Sequence, residues 1–465
     1  MSLRIAACLV LSVLFGCRGE APTPADAPAP PPGETGAAAD VATLPDHEDG
    51  VALTPNALYA RGTPTFIVGT TGDELARRTI GGQVTLLRAM LFPTAAVVPD
   101  ASVDVAAGPA AWPPNPVVFG GPGQNSVAQR LAADLPFAEA GGALVIGDER
   151  LVGDGYAVTA AIPGRREAAS DAPAHPAFVL YAGTGPLAVA EINARARGDE
   201  PLTVCDAFGR LTGGTLEDGG RRAVLAPRAE RPDFRAVTRP LPGVDGQLRG
   251  GAVTFHLLAG APPDDDEAAW LDAVTNGFVR AVTALDLFAP PAVDVYVYPD
   301  EAEKARVTGR GGAGHAVPAA GALHMVRYPL ERGAVALAAH EGTHLLAAAA
   351  WGPPGTPAMG EGLAVWVSGG YGGERLDDLA ARVETRPPAE DLLGPGFRAL
   401  PEAEAYPLAG LLVAAAVVRV GVDGLRDELY GATAETWGDA CRRAGISDGA
   451  LDVAYRALFA PTPRP

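Results

Sequence analysis

Apolar and polar positions change their period near residue 250. Before that point, short β-branched and aromatic runs end in glycine turns and pass into helical segments. Residues 65–68 lead into 73–78, 117–119 through Gly120-Gly121-Pro122-Gly123 into 126–135, and 178–181 through Gly183-Thr184-Gly185 into 187–196. The alternation predicts an α/β domain over residues 51–240 with a largely parallel sheet. Residues 143–162 read as a hairpin inserted between the second and third units, and residues 221–251, rich in Arg, Pro and Gly, as a connection.

Beyond the connection, residues 252–258 predict a strand. Asp264-Asp265-Asp266-Glu267 supplies the acidic first turn of a helix on which Leu271, Val274, Phe278, Val282 and Leu285 fall at helical spacing. Residues 293–298 alternate Val inward with Asp and Tyr outward, which is strand period. A glycine-rich loop at 309–314 precedes a strand at 322–327, then an Ala- and Leu-rich helix over 333–351. The remainder, to Phe459, reads as mainly helical. Its apolar run at 408–418 is too short to span a bilayer and reads as a core helix.

The first residues follow another pattern: Arg4, an apolar run over 5–15, then Gly16 and Cys17. That is an export signal over residues 1–16. Leu14-Phe15-Gly16-Cys17 resembles the lipobox of bacterial lipoproteins, which implies cleavage before Cys17 and lipid on its sulfur. An ordinary signal peptide cut elsewhere is the competing reading. Residues 17–50, Pro- and Ala-rich over 21–39, read as the anchor Cys and an extended tether. Arg18 follows Cys17 where an Asp would favour retention, and by resemblance to the enterobacterial sorting rule this implies the periplasmic side of the outer membrane.

Composition narrows the classes further. With 465 residues and 48% apolar content the chain has room for two or three domains. A formal charge of −19 argues against a nucleic-acid partner, since phosphate binding needs clustered Lys and Arg. Lys304 is the one lysine, a skew that looks like coding bias and receives no functional reading. Cys8 leaves with the signal, so Cys205 and Cys441 remain. Two buried free thiols are expected, a disulfide being the open alternative, and two isolated cysteines cannot build a cysteine zinc site.

Candidate chemistry centres on His340-Glu341-Gly342-Thr343-His344. Residues four apart share a helix face, so both imidazoles can point at one metal ion with Glu341 beside it. Glu361, in Met359-Gly360-Glu361-Gly362-Leu363-Ala364, is the candidate third ligand. A zinc ion (Zn2+) held by three side chains keeps one position open for water. The competing reading is a pair of satisfied core histidines, but burying two His and a Glu on an apolar helix is costly without pairing or metal. A second motif, Gly183-Thr184-Gly185-Pro186-Leu187-Ala188 with Asp206 after the next strand, fits a relaxed dinucleotide fingerprint. Glycines required for tight strand-to-helix turns explain it as well.

From Ala252 onward, HExxH followed by a Pro-containing loop and Pro357-Ala358-Met359-Gly360-Glu361-Gly362-Leu363-Ala364 resembles the gluzincin metallopeptidases, most of all the peptidase MA-like group of bacterial proteins. The resemblance covers a little under half of the chain. It implies an α+β, zincin-like domain over residues 250–462 with a mainly helical end, and zinc on His340, His344 and Glu361. It also implies Glu341 as general base and a peptide or protein substrate. Tyr406, in Ala405-Tyr406-Pro407-Leu408-Ala409, resembles the Tyr that opens a helix after the site and would stabilise the oxyanion; a packed Tyr with its hydroxyl on the backbone is the competing reading.

Two departures stand out. Sixteen residues separate His344 from Glu361, fewer than in the aminopeptidase branch, so no exopeptidase is inferred. Val365 stands where thermolysin-like relatives carry an Asp that orients a ligand, so another group must do so. Residues 322–327 are the expected edge strand on which an extended peptide would lie. His315 and His324, nearby, read as structural or surface residues. Two rivals from other classes remain: a tethered binding or scaffold protein whose zincin-like fold holds metal without cleaving, and a nucleotide-binding module at 183–188.

Overall fold

The computed structural model describes residues 53–459 apart from 154, 167–172, 192–197, 207, 209, 228–231, 259–265, 331–332 and 384–385. The signal, Cys17, the tether, Asp264, Asp265 and the end of the helix expected over 187–196 lie outside the described residues.

The first domain is built on strands β1 (Thr65–Val68), β2 (Ala96–Pro99) and β3 (Pro116–Phe119). Next, β4 (Ala138–Glu139), β5 (Ala143–Ile146) and β6 (Glu149–Val152) form a small antiparallel sheet of their own. Then β7 (Ala157–Ile162), β8 (Phe178–Gly183), β9 (Leu202–Cys205), β10 (Leu211–Glu217) and β11 (Arg222–Leu225) complete an eight-stranded sheet of order β11-β10-β9-β7-β8-β3-β1-β2. From β2 to β8 it is parallel, as the sequence predicts. From β8 to β11 each neighbour is antiparallel, so the sheet is mixed rather than largely parallel.

The departure has a local cause. Residues 143–162 are not one inserted hairpin: β5 and β6 are, whereas β7 is buried along its whole length and lies between β8 and β9. That placement also removes the geometry of a dinucleotide site, in which consecutive parallel strands lie side by side at the glycine turn. Asp206 accepts from the backbone N–H groups of Phe208 and Arg210 and from the Arg210 guanidinium, so it closes its own loop.

The helix expected over 73–78 runs on as Glu74–Leu91. Asp73 caps it, its carboxylate accepting from the Ala76 N–H. This helix packs against the short helix Pro186–Glu191, and together they face the second domain.

Residues 221–251 are more than a connection. They supply β11 and then β12 (Phe234–Pro240), which pairs along its length with β13 (Ala252–Leu258). With β14 (Val293–Tyr298), β15 (Gly314–Val317) and β16 (Ala322–Val326) these form a five-stranded sheet of order β12-β13-β14-β16-β15. The strand expected at the edge, β16, has a neighbour on each side; the edge on that side is β15, four residues that begin at the last glycine of the glycine-rich loop. Helices Glu267–Ala284 and Ala334–Ala350 cover one face over Phe255, Val295, Leu323 and Met325.

On the other face, His256, Tyr296, His324 and His315 sit opposite one another on β13, β14, β16 and β15, ring centroids 4.4, 4.9 and 5.0 Å apart. Phe208 of the first domain covers this ladder, 4.5 Å from Tyr296. His315 and His324 are therefore structural, and buried rather than at the surface. Lys304 is fully buried, its ammonium donating to the carbonyls of Arg310 and Gly311 and so fastening the glycine-rich loop.

The remainder is helical, as expected. Helix Glu402–Gly424 runs on into a π-helical turn at Leu425–Leu429, and the stretch Glu402–Leu429 is long and apolar enough to cross a membrane, yet half of its apolar window is buried inside the protein. It packs on helix Pro357–Ser368, where Val365 lies against Gly410. The aliphatic residue at 365 is thus a packing requirement between two helices. Cys205 and Cys441 are buried free thiols, the latter pushed up to about 11 by burial and then by Asp448.

Candidate metal centre

Two helices bring the site together. Ala334–Ala350 starts after Gly333 and runs as Ala and Leu, and burial of its middle fixes His340, Glu341 and His344 in the interior. Its neighbour Glu267–Ala284 approaches closely because each presents a glycine. A Cβ on Gly342 would lie 2.9 Å from Phe278 Cδ1, and one on Gly277 would lie 2.7 Å from the Val335 carbonyl. Gly342 inside the histidine motif is thus dictated by helix packing, which offsets its poor propensity.

The second helix, Pro357–Ser368, opens with Thr356 as cap, its hydroxyl accepting from the Met359 N–H, and Pro357 in the first turn. Glu361 follows one turn in. The intervening loop is held by Gly355, whose N–H donates to the Tyr430 carbonyl at 2.8 Å.

His340 Nε2 lies 3.5 Å and His344 Nε2 3.6 Å from Glu361 Oε2. One ligand atom from each of the three residues falls within 4.8 Å of the others, and all three residues are buried. Tetrahedral zinc with N and O ligands at about 2.0–2.1 Å has ligand-to-ligand edges of about 3.4 Å. The donor set and its spacing therefore fit zinc.

The three groups also act on one another electrostatically. Burial raises the Glu361 carboxyl, but the His344 charge and hydrogen bonds from both histidines outweigh it and hold the group at about 2. Burial likewise opposes charge on His344, and Glu361 and then Glu341 overcome it, so its pKa is raised. Arg398 sits within electrostatic reach of Glu361, Tyr406 and Glu402, with burial pulling its pKa below the usual guanidinium range.

Glu341, 2% exposed, stands outside the ligand cluster. Its Oε2 accepts a hydrogen bond from the Ala316 N–H of edge strand β15 at 3.0 Å. Tyr406 packs with Tyr371 and Phe397, ring centroids 5.1 and 6.1 Å away, and is not among the residues lining the cleft beside His344 and Glu361. The phenol that does line that cleft is Tyr430, with His344 and Glu361. Burial and then the Glu361 charge push its pKa up. No motif surrounds Tyr430 in the sequence. Gln83 and Leu86, on the first domain's helix, also line the cleft and carry no sequence signal either.

No protein-family model matches the chain, and no curated protein matches it in sequence. Among solved structures, it is similar to a variant of a two-domain M1 zinc metallopeptidase bound to L-arginine, at 16% identity and a TM-score of 0.29, over 55% of this chain and 61% of that one. An M1 zinc metallopeptidase from Deinococcus radiodurans gives 15% identity and a TM-score of 0.27, over 55% of this chain and 60% of its own. The chain thus spans about 61% of the length of the solved structures it matches.

Proposed function

We propose that this chain is a zinc-dependent peptidase, exported and held by lipid on Cys17 at the periplasmic side of the outer membrane. The observation that carries the catalytic part is the buried His340, His344 and Glu361 cluster with a further carboxylate, Glu341, beside it. His340, His344 and Glu361 hold the metal. When bound, zinc lowers the pKa of its water toward neutrality and polarises a carbonyl. Glu341 takes the proton of the attacking water and passes it to the leaving amine. The Tyr430 hydroxyl donates to the oxygen on which negative charge develops. Edge strand β15, which ends at the cleft, is the rail for an extended peptide.

The test is zinc content together with cleavage of a broad peptide mixture, for the wild type and Glu341→Gln. Stoichiometric zinc with cleavage in the wild type alone is the expected result. A wild type without zinc refutes the reading. Zinc with no cleavage in either protein replaces it with the metal-holding scaffold. The anchor is tested separately: Cys17→Ala should move the protein from the membrane to the soluble fraction.

A further inference from the structure

The cleft beside the metal ligands is built from both domains. The second domain contributes His344, Glu361 and Tyr430 to its lining; the first domain contributes Leu86, Leu187 and Ala190, with Pro318 just after β15. Its cavity measures about 40 Å³, room for roughly three water-sized groups at about 10–15 Å³ each. Among the first domain's lining residues there is one polar side chain, Gln83, 6% exposed, and its Nε2 has no hydrogen-bond partner. Thr79, one turn earlier on the same helix face and fully buried, likewise has an unpartnered hydroxyl. Buried polar groups in native proteins are almost always hydrogen-bonded, so an amide left open against a metal centre calls for a ligand.

We infer that the first domain completes the substrate site: Gln83 holds the main chain of a bound peptide, and the pocket between Leu86 and Leu187 takes a branched aliphatic side chain next to the scissile bond. This inference rests on the peptidase reading of the same site. A primary amide offers both a donor and an acceptor, and so does a peptide unit. Leu86, Leu187 and Ala190 make the first domain's share of the lining apolar beside Gln83, so a charged side chain entering against them would lose water without gaining an opposite charge there, which is costly. The helix Glu74–Leu91 meets the second domain at two further points. A Cβ on Gly82 would lie 3.5 Å from Pro353 Cγ, and Arg88 pairs with Glu435 at 3.7 Å. The α/β domain is then a specificity wall, not a separate module.

The experiment uses the full-length protein and oligopeptides identical except for one residue, Val, Leu, Arg or Asp. Cleavage is followed in the wild type, Gln83→Leu and Leu86→Arg. Binding without turnover is followed by calorimetry in Glu341→Gln with and without Gln83→Leu. The expected result is at least a tenfold preference for Val and Leu. Gln83→Leu should raise KM tenfold or more with kcat within twofold, weaken calorimetric binding by a similar factor, and leave the unfolding midpoint unlowered. Leu86→Arg should abolish the aliphatic preference.

A Gln83 that merely supports packing would lower the midpoint and leave KM alone. Gln83→Leu within twofold of its parent in both KM and binding overturns the inference while the peptidase reading stands. A parent without zinc or cleavage that still binds aliphatic peptides through Gln83 overturns the peptidase reading alone. A parent that binds none of the peptides overturns the inference.

Discussion

Glu341 and Ala316 are joined by a hydrogen bond from the Ala316 N–H to Glu341 Oε2, 3.0 Å long, although they belong to different elements. The bond ties the residue beside His340 to an edge strand of the sheet. It sets the carboxylate's position without drawing it into the cluster formed by His340, His344 and Glu361.

Two substitutions at Glu341 separate chemistry from structure. In Glu341→Gln the amide oxygen can still accept from Ala316, so zinc content and the urea midpoint should stay unchanged while kcat falls by about 10²–10⁴, the worth of a general base. Glu341→Ala leaves the buried N–H without a partner, which costs about 1–3 kcal/mol. It should therefore lose stability as well as activity. Equal midpoints for the two variants would mean that the bond to Ala316 contributes nothing.

Gly342 gives a prediction opposite to helix propensity. Alanine is worth about 1 kcal/mol more than glycine within a helix, but the added methyl would lie 2.9 Å from the ring of Phe278, itself fully buried. Overpacking of a core typically costs about 1–3 kcal/mol. Gly342→Ala should thus be destabilised in urea unfolding, and the double variant with Phe278→Leu should recover part of the loss. A stabilised Gly342→Ala would show that the two helices separate easily.

The same residues show what the sequence could and could not reveal. The histidine helix is legible because i, i+4 spacing puts its ligands on one face whatever the rest of the fold does. Thr356 and Pro357 mark the start of the Glu361 helix by local cap chemistry. Strands β13 and β14 alternate, so period alone finds them. Strand β7 is buried on both faces, and nothing local tells which strands flank it; its antiparallel placement is a long-range outcome. Strand β15 is short and begins with glycine, so it reads as loop. Tyr430 and Gln83 reach the centre only because distant segments pack there, and no spacing rule connects them to His340 or Glu361.

Asp100 supplies a pH-dependent contribution in the first domain. Its carboxylate accepts from the N–H and hydroxyl of Thr70 and from the N–H of Ser126, bridging the ends of β1 and of the segment after β3. That is where an open α/β sheet usually binds ligands; here the protein's own groups close it. Burial raises the carboxyl, but the hydrogen bonds from Thr70 and Ser126 outweigh it and hold its pKa below the ordinary 3.8. A depressed folded-state pKa gives stability that is complete above the unfolded value and disappears as pH falls through the folded one. Asp100→Asn should therefore cost about 1.5–3 kcal/mol at pH 7, the range for hydrogen bonds to a charged group. The gap should narrow when urea titrations are repeated below about pH 3. A gap independent of pH would remove the charge from the explanation.

Tyr430 and Tyr406 are both buried phenols, yet of the two Tyr430 lines the cleft with His344 and Glu361, and this difference should appear in kinetics. Tyr430 has Trp351 edge-on at 5.3 Å to fix its ring, and it lines the cleft beside His344 and Glu361. A high pKa keeps that phenol protonated at neutral pH, which is the form that can donate. Removing one such donor typically costs about 10²–10³ in kcat. Tyr430→Phe should accordingly lower kcat by that order with KM, zinc content and midpoint little changed, since ring packing survives. Tyr406→Phe, whose ring stacks with Phe397 outside the cleft lining, should keep kcat within a few-fold and act on stability if at all. The reverse pattern, a silent Tyr430→Phe beside an inactive Tyr406→Phe, would return the oxyanion role to the residue that sequence resemblance points to.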